Sequence, residues 1–217
     1  MRDRALVSFG VGDFAELLEI SAPGLHSYAR RHGYDLITRP PSLLTRPPSW
    51  HKITSLLDAL EEYDEVLWVD CDVLILDSNW DLADDIPAWA WHGITRHQTP
   101  EGEVPSAGVW YVRQQLQPVL EAIWRLTKYE HFKWWEQGAL QELLGYTPLE
   151  IPVHQDHETE LSDRTCWLSL EWNALALPGV DLDPLPRFAH VAPGSPVHVR
   201  AALMRELVEK KGVSLHA

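Results

Sequence analysis

Short apolar runs and amphipathic stretches alternate along the 217 residues of the chain. Ala5-Leu6-Val7-Ser8-Phe9-Gly10-Val11-Gly12 reads as a buried strand ended by glycines. Asp13 is placed to cap a helix from Phe14 to about Ile20, and Ser21-Ala22-Pro23-Gly24 interrupts it before a second helical stretch, Leu25 to His32. Gly33 reads as the helix stop and Tyr34 to Thr38 as strand two. Strand, helix and strand in that order predict a right-handed parallel crossover, and with it an α/β sheet.

Thr-Arg-Pro-Pro occurs twice between residues 38 and 49, which forbids helix and interior strand there. Ser49 is placed to cap the next helix, whose apolar positions Ile53, Leu56, Leu57 and Leu60 follow helical spacing. Glu65 to Val69 is a near-continuous apolar strand, Asp70-Cys71-Asp72 interrupts it, and Val73 to Leu76 resumes the apolar run. Gly108 to Val112 predicts a strand, Pro118 to Lys128 a helix, and Trp134 to Leu144 another helix closed by Gly145. Leu149 to Val153 and Arg187 to Val191 are weaker strand candidates, 154–166 reads as a polar loop, and Pro196 to Lys211 as an amphipathic tail helix. No linker or solenoid-length repeat divides the chain, so one domain over 1–217 is expected.

Composition narrows the function classes. Lys+Arg 18 against Asp+Glu 32 gives a net charge of −14, which argues against a nucleic-acid backbone or an anionic membrane as partner. No apolar run reaches the roughly 18 residues of a spanning helix, and a cytoplasmic location is the expectation. Two cysteines, Cys71 and Cys166, are too few for a disulfide framework. Eleven tryptophans, several paired or nearly so, suit sugar rings or nucleobases, although most are expected in the core.

The sharpest chemical signal is Asp70-Cys71-Asp72, because carboxylates just after an apolar strand lie at its carboxyl end, where α/β sheets bind ligands. An isolated Asp-x-Asp is ordinarily a solvated turn. Buried carboxylates instead need a counter-charge, and a divalent cation with oxygen ligands is one solution. Phosphate-loop, dinucleotide-binding and nucleophile-elbow signatures and zinc-type cysteine pairs are absent. The His154-Gln155-Asp156-His157 cluster lies in a polar stretch without helical pattern and reads as surface.

Trp50-His51-Lys52-Ile53, and Tyr63 through Ile75 around Asp70-Cys71-Asp72, resemble the metal-dependent nucleotide-sugar glycosyltransferases of the GT-A fold. The closest likeness is to the family of fungal galactosyl and mannosyl transferases and plant xyloglucan xylosyltransferases, with glycogenin-like enzymes more distant. Ser106-Ala107-Gly108-Val109 resembles that family's Asn-x-Gly strand, and Glu136-Gln137-Gly138-Ala139-Leu140 its Asp-Gln-x-Ala-Leu helix. Glu171-Trp172-Asn173 and Ala189-His190-Val191 complete five blocks in order.

The resemblance implies a mixed, mainly parallel GT-A-like sheet flanked by helices. It implies that Asp70, Asp72 and His190 hold Mn²⁺ or Mg²⁺, with Asp70 also near the donor ribose or sugar. The donor would be a nucleoside diphosphate sugar, UDP-linked by preference, and the acceptor an unidentified hydroxyl. Gln137 and Glu136 would carry the catalytic role at the sugar face, with retention of anomeric configuration. Ser8, Phe9 and Gly10 would meet uracil and ribose, and Lys52 donor phosphate or ribose. Ser106, Ala107, Gly108 and Gly194 would complete donor binding.

Three departures bear on the donor: His190 to Gly194 is one residue longer than the family's His-x-x-Gly, Ser106 replaces Asn, and Glu136 replaces Asp. The runner-up readings are a silent carbohydrate- or nucleotide-binding module, and a metal-dependent nucleotidyltransferase or phosphohydrolase. The acceptor is expected to be chosen by loops at 92–105 and 154–166.

Overall fold

The computed structural model describes residues 2–41, 45–99, 102–147 and 155–210. Strand β1 (Arg2–Val7) leads into helix α1 (Ala15–His32), and β2 (Asp35–Ile37) pairs parallel to β1. Helix α2 (His51–Leu60) precedes β3 (Tyr63–Val69), also parallel to β1. The chain continues through β4 (Val73–Ile75), β5 (His92–Thr99), β6 (Gly102–Arg113), α3 (Gln117–Arg125), α4 (Trp135–Leu143), α5 (Glu160–Asp163), β7 (Thr165–Leu168), β8 (Ala174–Ala176), β9 (Phe188–Val191) and α6 (Val197–Lys210). The main sheet has the order β2-β1-β3-β6-β5-β7, and a smaller sheet has the order β4-β9-β8. The expected mixed, mainly parallel α/β sheet is therefore present: three of the five pairings in the main sheet are parallel.

Period-two alternation separates the two faces of that sheet. Ala5, Val7, Val66, Trp68, Trp110 and Val112 pack with Ile53, Leu56 and Leu60 of α2, Ile123 of α3 and Leu140 of α4. Leu6, Leu67, Val69 and Tyr111 face the other way, onto Leu25 and Tyr28 of α1 and Val73 and Ile75 of β4. The small sheet is covered by Ala201, Met204 and Leu207 of α6.

Several local expectations change. The break at Pro23 does not occur, and α1 runs through it. A proline inside a helix costs ~3 kcal/mol, but Leu17, Leu25, Tyr28 and Ala29 of this helix are buried, and that packing outweighs the loss. Neither Asp13 nor Ser49 caps a helix; short 3-10 turns, Gly12–Phe14 and Pro48–Trp50, lead into α1 and α2 instead. Residues 92–99 and 102–105 belong to the paired strands β5 and β6 rather than to a loop, and 155–166 contain α5 and the start of β7. The strand candidate Leu149 to Val153 lies outside the described residues, as does His154. Gly33 is left-handed (φ 72°) and stops α1 as expected.

Candidate active site

Strand β3 ends at Val69, and Asp70-Cys71-Asp72 carries the chain from the main sheet into the small one. Antiparallel pairing of β4 with β9 sets Val73 opposite His190, and the Val191 N–H donates to the Asp72 carbonyl at 2.9 Å. Register alone therefore brings His190 to Asp72. Asp70 is held from the other side, where its N–H donates to the Gly108 carbonyl of β6 at 2.8 Å. A Cβ at Gly108 would lie 2.6 Å from His190 Nδ1, so the imidazole packs where only glycine leaves room.

Asp70, Asp72 and His190 each present one ligand atom, all within 4.8 Å of one another. Two carboxylate oxygens and an imidazole nitrogen form a donor set suited to Mn²⁺. Asp72 is 4% exposed; His190 Nε2 lies 3.3 Å from its Oδ1, and Arg200 Nη1 donates to its Oδ2 at 2.6 Å. Burial pushes the Asp72 carboxyl up, yet the charge and hydrogen bond of His190, with the charge of Arg200, outweigh it and hold the group below its ordinary value. Burial pulls the His190 pKa down, but Asp72 above all outweighs it, and the net shift is upward. Since Arg200 engages Oδ2, Asp72 can offer Oδ1 to a metal while keeping that partner.

Lys52 connects this acid pair to α4. Its Nζ is 3.0 Å from Asp70 Oδ1, 3.1 Å from Glu136 Oε1 and 3.0 Å from the Ala107 carbonyl. All three ammonium protons are thereby taken by protein oxygens. Burial opposes the charge of Lys52, but Asp70 and Glu136 more than restore it, and its pKa is raised. Burial raises the Glu136 pKa against the pull of Lys52, and its Oε2 is buried without a partner. Trp68 Nε1 adds a hydrogen bond to Asp70 Oδ1 at 2.6 Å.

The other expected residues cluster around these. Gln137 Oε1 accepts from the Ala107 N–H at 3.2 Å, so the α4 terminus and the Ser106-Ala107-Gly108 segment are joined directly. Ser106 Oγ accepts from Asn173 Nδ2 at 3.0 Å. Ser8 lies past the end of β1, fully buried, with Oγ unpartnered, and Phe9 packs edge-on against Trp68 at 5.3 Å. A side chain on Gly10 would collide with the Phe14 carbonyl. Gly194 is left-handed (φ 84°) in the turn after β9, with open space where a side chain would stand.

Among the described residues, the two non-glycine positions with left-handed backbone adjoin this centre. Trp135 (φ 44°) immediately precedes Glu136, and Ala192 (φ 43°) follows His190 by two. Such strain gathers where geometry is tied to function.

Three participants escaped the sequence reading. Arg200 falls on the apolar stripe of α6, between Val197 and Met204 in helical spacing, which was the available signal. Asn173 belongs to the Glu171-Trp172-Asn173 block, but nothing local in the sequence points to a role for it. His97, in β5, is buried with Nε2 unpartnered; burial above all, and then His190, lower its pKa to about 4. A cavity of about 520 Å³ lined by Asp3, Arg4, Asp64, Glu65 and Arg113 lies by the opposite ends of β1 and β3. There Arg4 is already paired with Asp81 and Arg113 with Glu65, so the cavity offers no comparable chemistry.

An acid pair at the carboxyl edge of this sheet is joined by a histidine from the small second sheet, on a fold similar to that of solved glycosyltransferases. Residues 13–88 match the galactosyl transferase GMA12/MNN10 family. Curated protein sequences yield no match. Among solved structures, the chain is similar to a glycosyltransferase involved in the glycosylation of the major capsid of PBCV-1, at 15% identity and TM-score 0.70, covering 94% of this chain and 99% of that one. It is also similar to the glycosyltransferase GlyE of Streptococcus pneumoniae, at 17% identity and TM-score 0.60, covering 96% of this chain and 64% of that one. The galactosyltransferase LgtC, solved with donor and acceptor sugar analogs, aligns at 14% identity and TM-score 0.54, covering 95% of this chain and 99% of that one. Among the described residues, no helix is long and apolar enough to cross a membrane.

Proposed function

We propose that residues 1–217 form one catalytic domain that moves a sugar from a nucleoside diphosphate donor, preferentially UDP-linked, to a hydroxyl acceptor, with Mn²⁺ or Mg²⁺ held by Asp70, Asp72 and His190. The observation that carries the reading is the convergence of those three donor atoms within 4.8 Å at the carboxyl edge of the sheet. Bound there, the cation would neutralise the donor's diphosphate and stabilise it as a leaving group. A net charge of −14 makes such neutralisation necessary for an anionic donor.

The chain's own residues supply the rest. Ser8, Phe9 and Gly10 shape the wall for base and ribose beyond β1. Lys52 pairs with Asp70 and fixes one oxygen of Glu136, leaving Oε2 as an unpartnered acceptor for a donor-sugar hydroxyl. Gln137, fixed through Ala107, lies beside Glu136 at the sugar face away from the diphosphate, where its amide dipole can stabilise positive charge at the anomeric carbon. Ser106, Ala107, Gly108 and Gly194 frame the donor between the two sheets. In the transfer, the bond from anomeric carbon to diphosphate oxygen breaks and the acceptor oxygen bonds to that carbon on the same face. The acceptor's proton passes to the departing phosphate oxygen, so configuration is retained.

The test is a panel of UDP-, GDP- and dTDP-sugars with simple alkyl glycosides as acceptors, followed by diphosphate release and glycoside product, with Mn²⁺ or with EDTA. Transfer that requires the metal and keeps the anomeric configuration supports the reading. Donor cleavage without product under every acceptor points to a hydrolase, and neither reaction to a binding module.

A further inference from the structure

Gly108 has a buried donor and a buried acceptor beside it, and neither has a partner. The position of a Cβ on Gly108 would be 2.6 Å from His190 Nδ1 and 3.4 Å from Asn173 Oδ1, and both atoms lack a hydrogen bond in the folded protein. Asn173 is fully buried, and its amide orientation is fixed by its other end: Nδ2 donates to Thr95 Oγ1 and to Ser106 Oγ, each at 3.0 Å. The NH₂ group has no proton left for a third partner, so the oxygen is the end turned toward Gly108 and the histidine. His190 has the complementary need. Its Nε2 lies toward Asp72, which leaves Nδ1 to carry the proton if Nε2 is to offer a lone pair.

We propose that Asn173 is a positioning residue for the metal centre: its Oδ1, unpartnered in the metal-free protein, would accept the Nδ1 proton of His190 once a dication takes Nε2, fixing the ring's tautomer. The inference rests on the metal reading given under Proposed function. A metal-bound imidazole is regularly held in this way by an outer oxygen, and loss of that partner weakens metal binding about 10–100-fold. Thr95 of β5 and Ser106 of β6, paired across the hairpin in register, are the anchors that aim Asn173. The serine at 106 thereby gains a role that a direct contact with donor sugar does not require.

The competing acceptor is His97 Nε2, which is also buried, also unpartnered and close enough to feel the charge of His190. Asn173→Ala, Asn173→Asp and His97→Ala separate the two, with thermal melting and circular dichroism to confirm folding. Titration with Mn²⁺ alone should show a dissociation constant about 10–100-fold weaker in Asn173→Ala, near wild type in Asn173→Asp, which keeps an acceptor oxygen in place, and near wild type in His97→Ala.

Long-range ¹H–¹⁵N spectra of the Mg²⁺-loaded protein supply a second readout, independent of activity. A slowly exchanging His190 Nδ1–H should be present in wild type and Asn173→Asp and absent in Asn173→Ala. Equal losses in the alanine and aspartate variants would reduce Asn173 to a packing role and overturn the proposal, as would a loss carried by His97→Ala instead. If wild type takes up neither Mn²⁺ nor Mg²⁺, the metal reading fails; if it takes up metal and the variants do not differ from it, the role of Asn173 fails and the metal reading stands.

Discussion

Replacing Lys52 by methionine tests how the two halves of the site depend on one buried cation. Lys52 is 5% exposed and bonds Asp70 Oδ1, Glu136 Oε1 and the Ala107 carbonyl at 3.0, 3.1 and 3.0 Å. Methionine fills a similar volume but leaves Glu136, itself 4% exposed, without its counter-charge. Breaking a buried pair from one side costs about 3–5 kcal/mol. For a chain of this length that corresponds to a fall in Tm of roughly 10 °C. The loss should depend on pH. Glu136 already titrates above its ordinary range through burial, and removing the lysine that opposes this pushes it higher. Between the unfolded value near 4.5 and the raised folded value, the native state then binds more protons than the unfolded state, so stability falls as pH rises. The deficit of Lys52→Met against wild type in urea melts should therefore be smallest near pH 5 and largest near pH 8. Lys52→Met/Glu136→Gln should recover a large part of it and flatten the pH dependence. A deficit below about 1 kcal/mol at pH 8, or a double variant no better than the sum of the singles, would refute the assignment of Lys52 as the shared counter-ion.

Asp72→Asn should abolish Mn²⁺ binding in calorimetric titration and metal-dependent turnover, while circular dichroism keeps the wild-type shape; retained turnover would remove Asp72 from the centre. Gly108→Ala should force the His190 ring aside, destabilise the fold by about 1–3 kcal/mol and weaken Mn²⁺ binding, and unchanged affinity would show that the close approach is unimportant. His92 accepts from Trp110 Nε1 at its Nδ1 and meets Thr165 Oγ1 through Nε2, and burial lowers its pKa to about 3. Because the folded value lies below the unfolded value near 6.5, the stability it contributes is full above pH 6.5 and is lost as pH falls toward about 3. His92→Gln should flatten that part of the pH–stability curve, and an unaltered acid limb would show that other groups control it.

The alternation in β1 and β3, the glycine stop of α1 and the acid pair after β3 were all legible in sequence, because strand and helix periods and turn chemistry act over a few neighbouring residues. The same local view misplaced the Pro23 break, since a propensity cost of a few kcal/mol is outweighed by a face buried against a sheet formed from distant segments. It likewise read 92–105 as loop, although the hydrogen bonds that make a strand come from its partners: here residues 102–112 and 165–168. The short sequence Asp-Cys-Asp determined that carboxylates would stand at a strand's end. That they face His190, across 118 positions of chain, follows from the register of β4 on β9, and that Arg200 reaches Asp72 across 128 follows from how α6 packs on the small sheet. The burial of Lys52 between Asp70 and Glu136 required α2, β3 and α4 to close on one another. Local order is encoded residue by residue. The partners of a buried charge are chosen only when the whole chain has excluded water from around it.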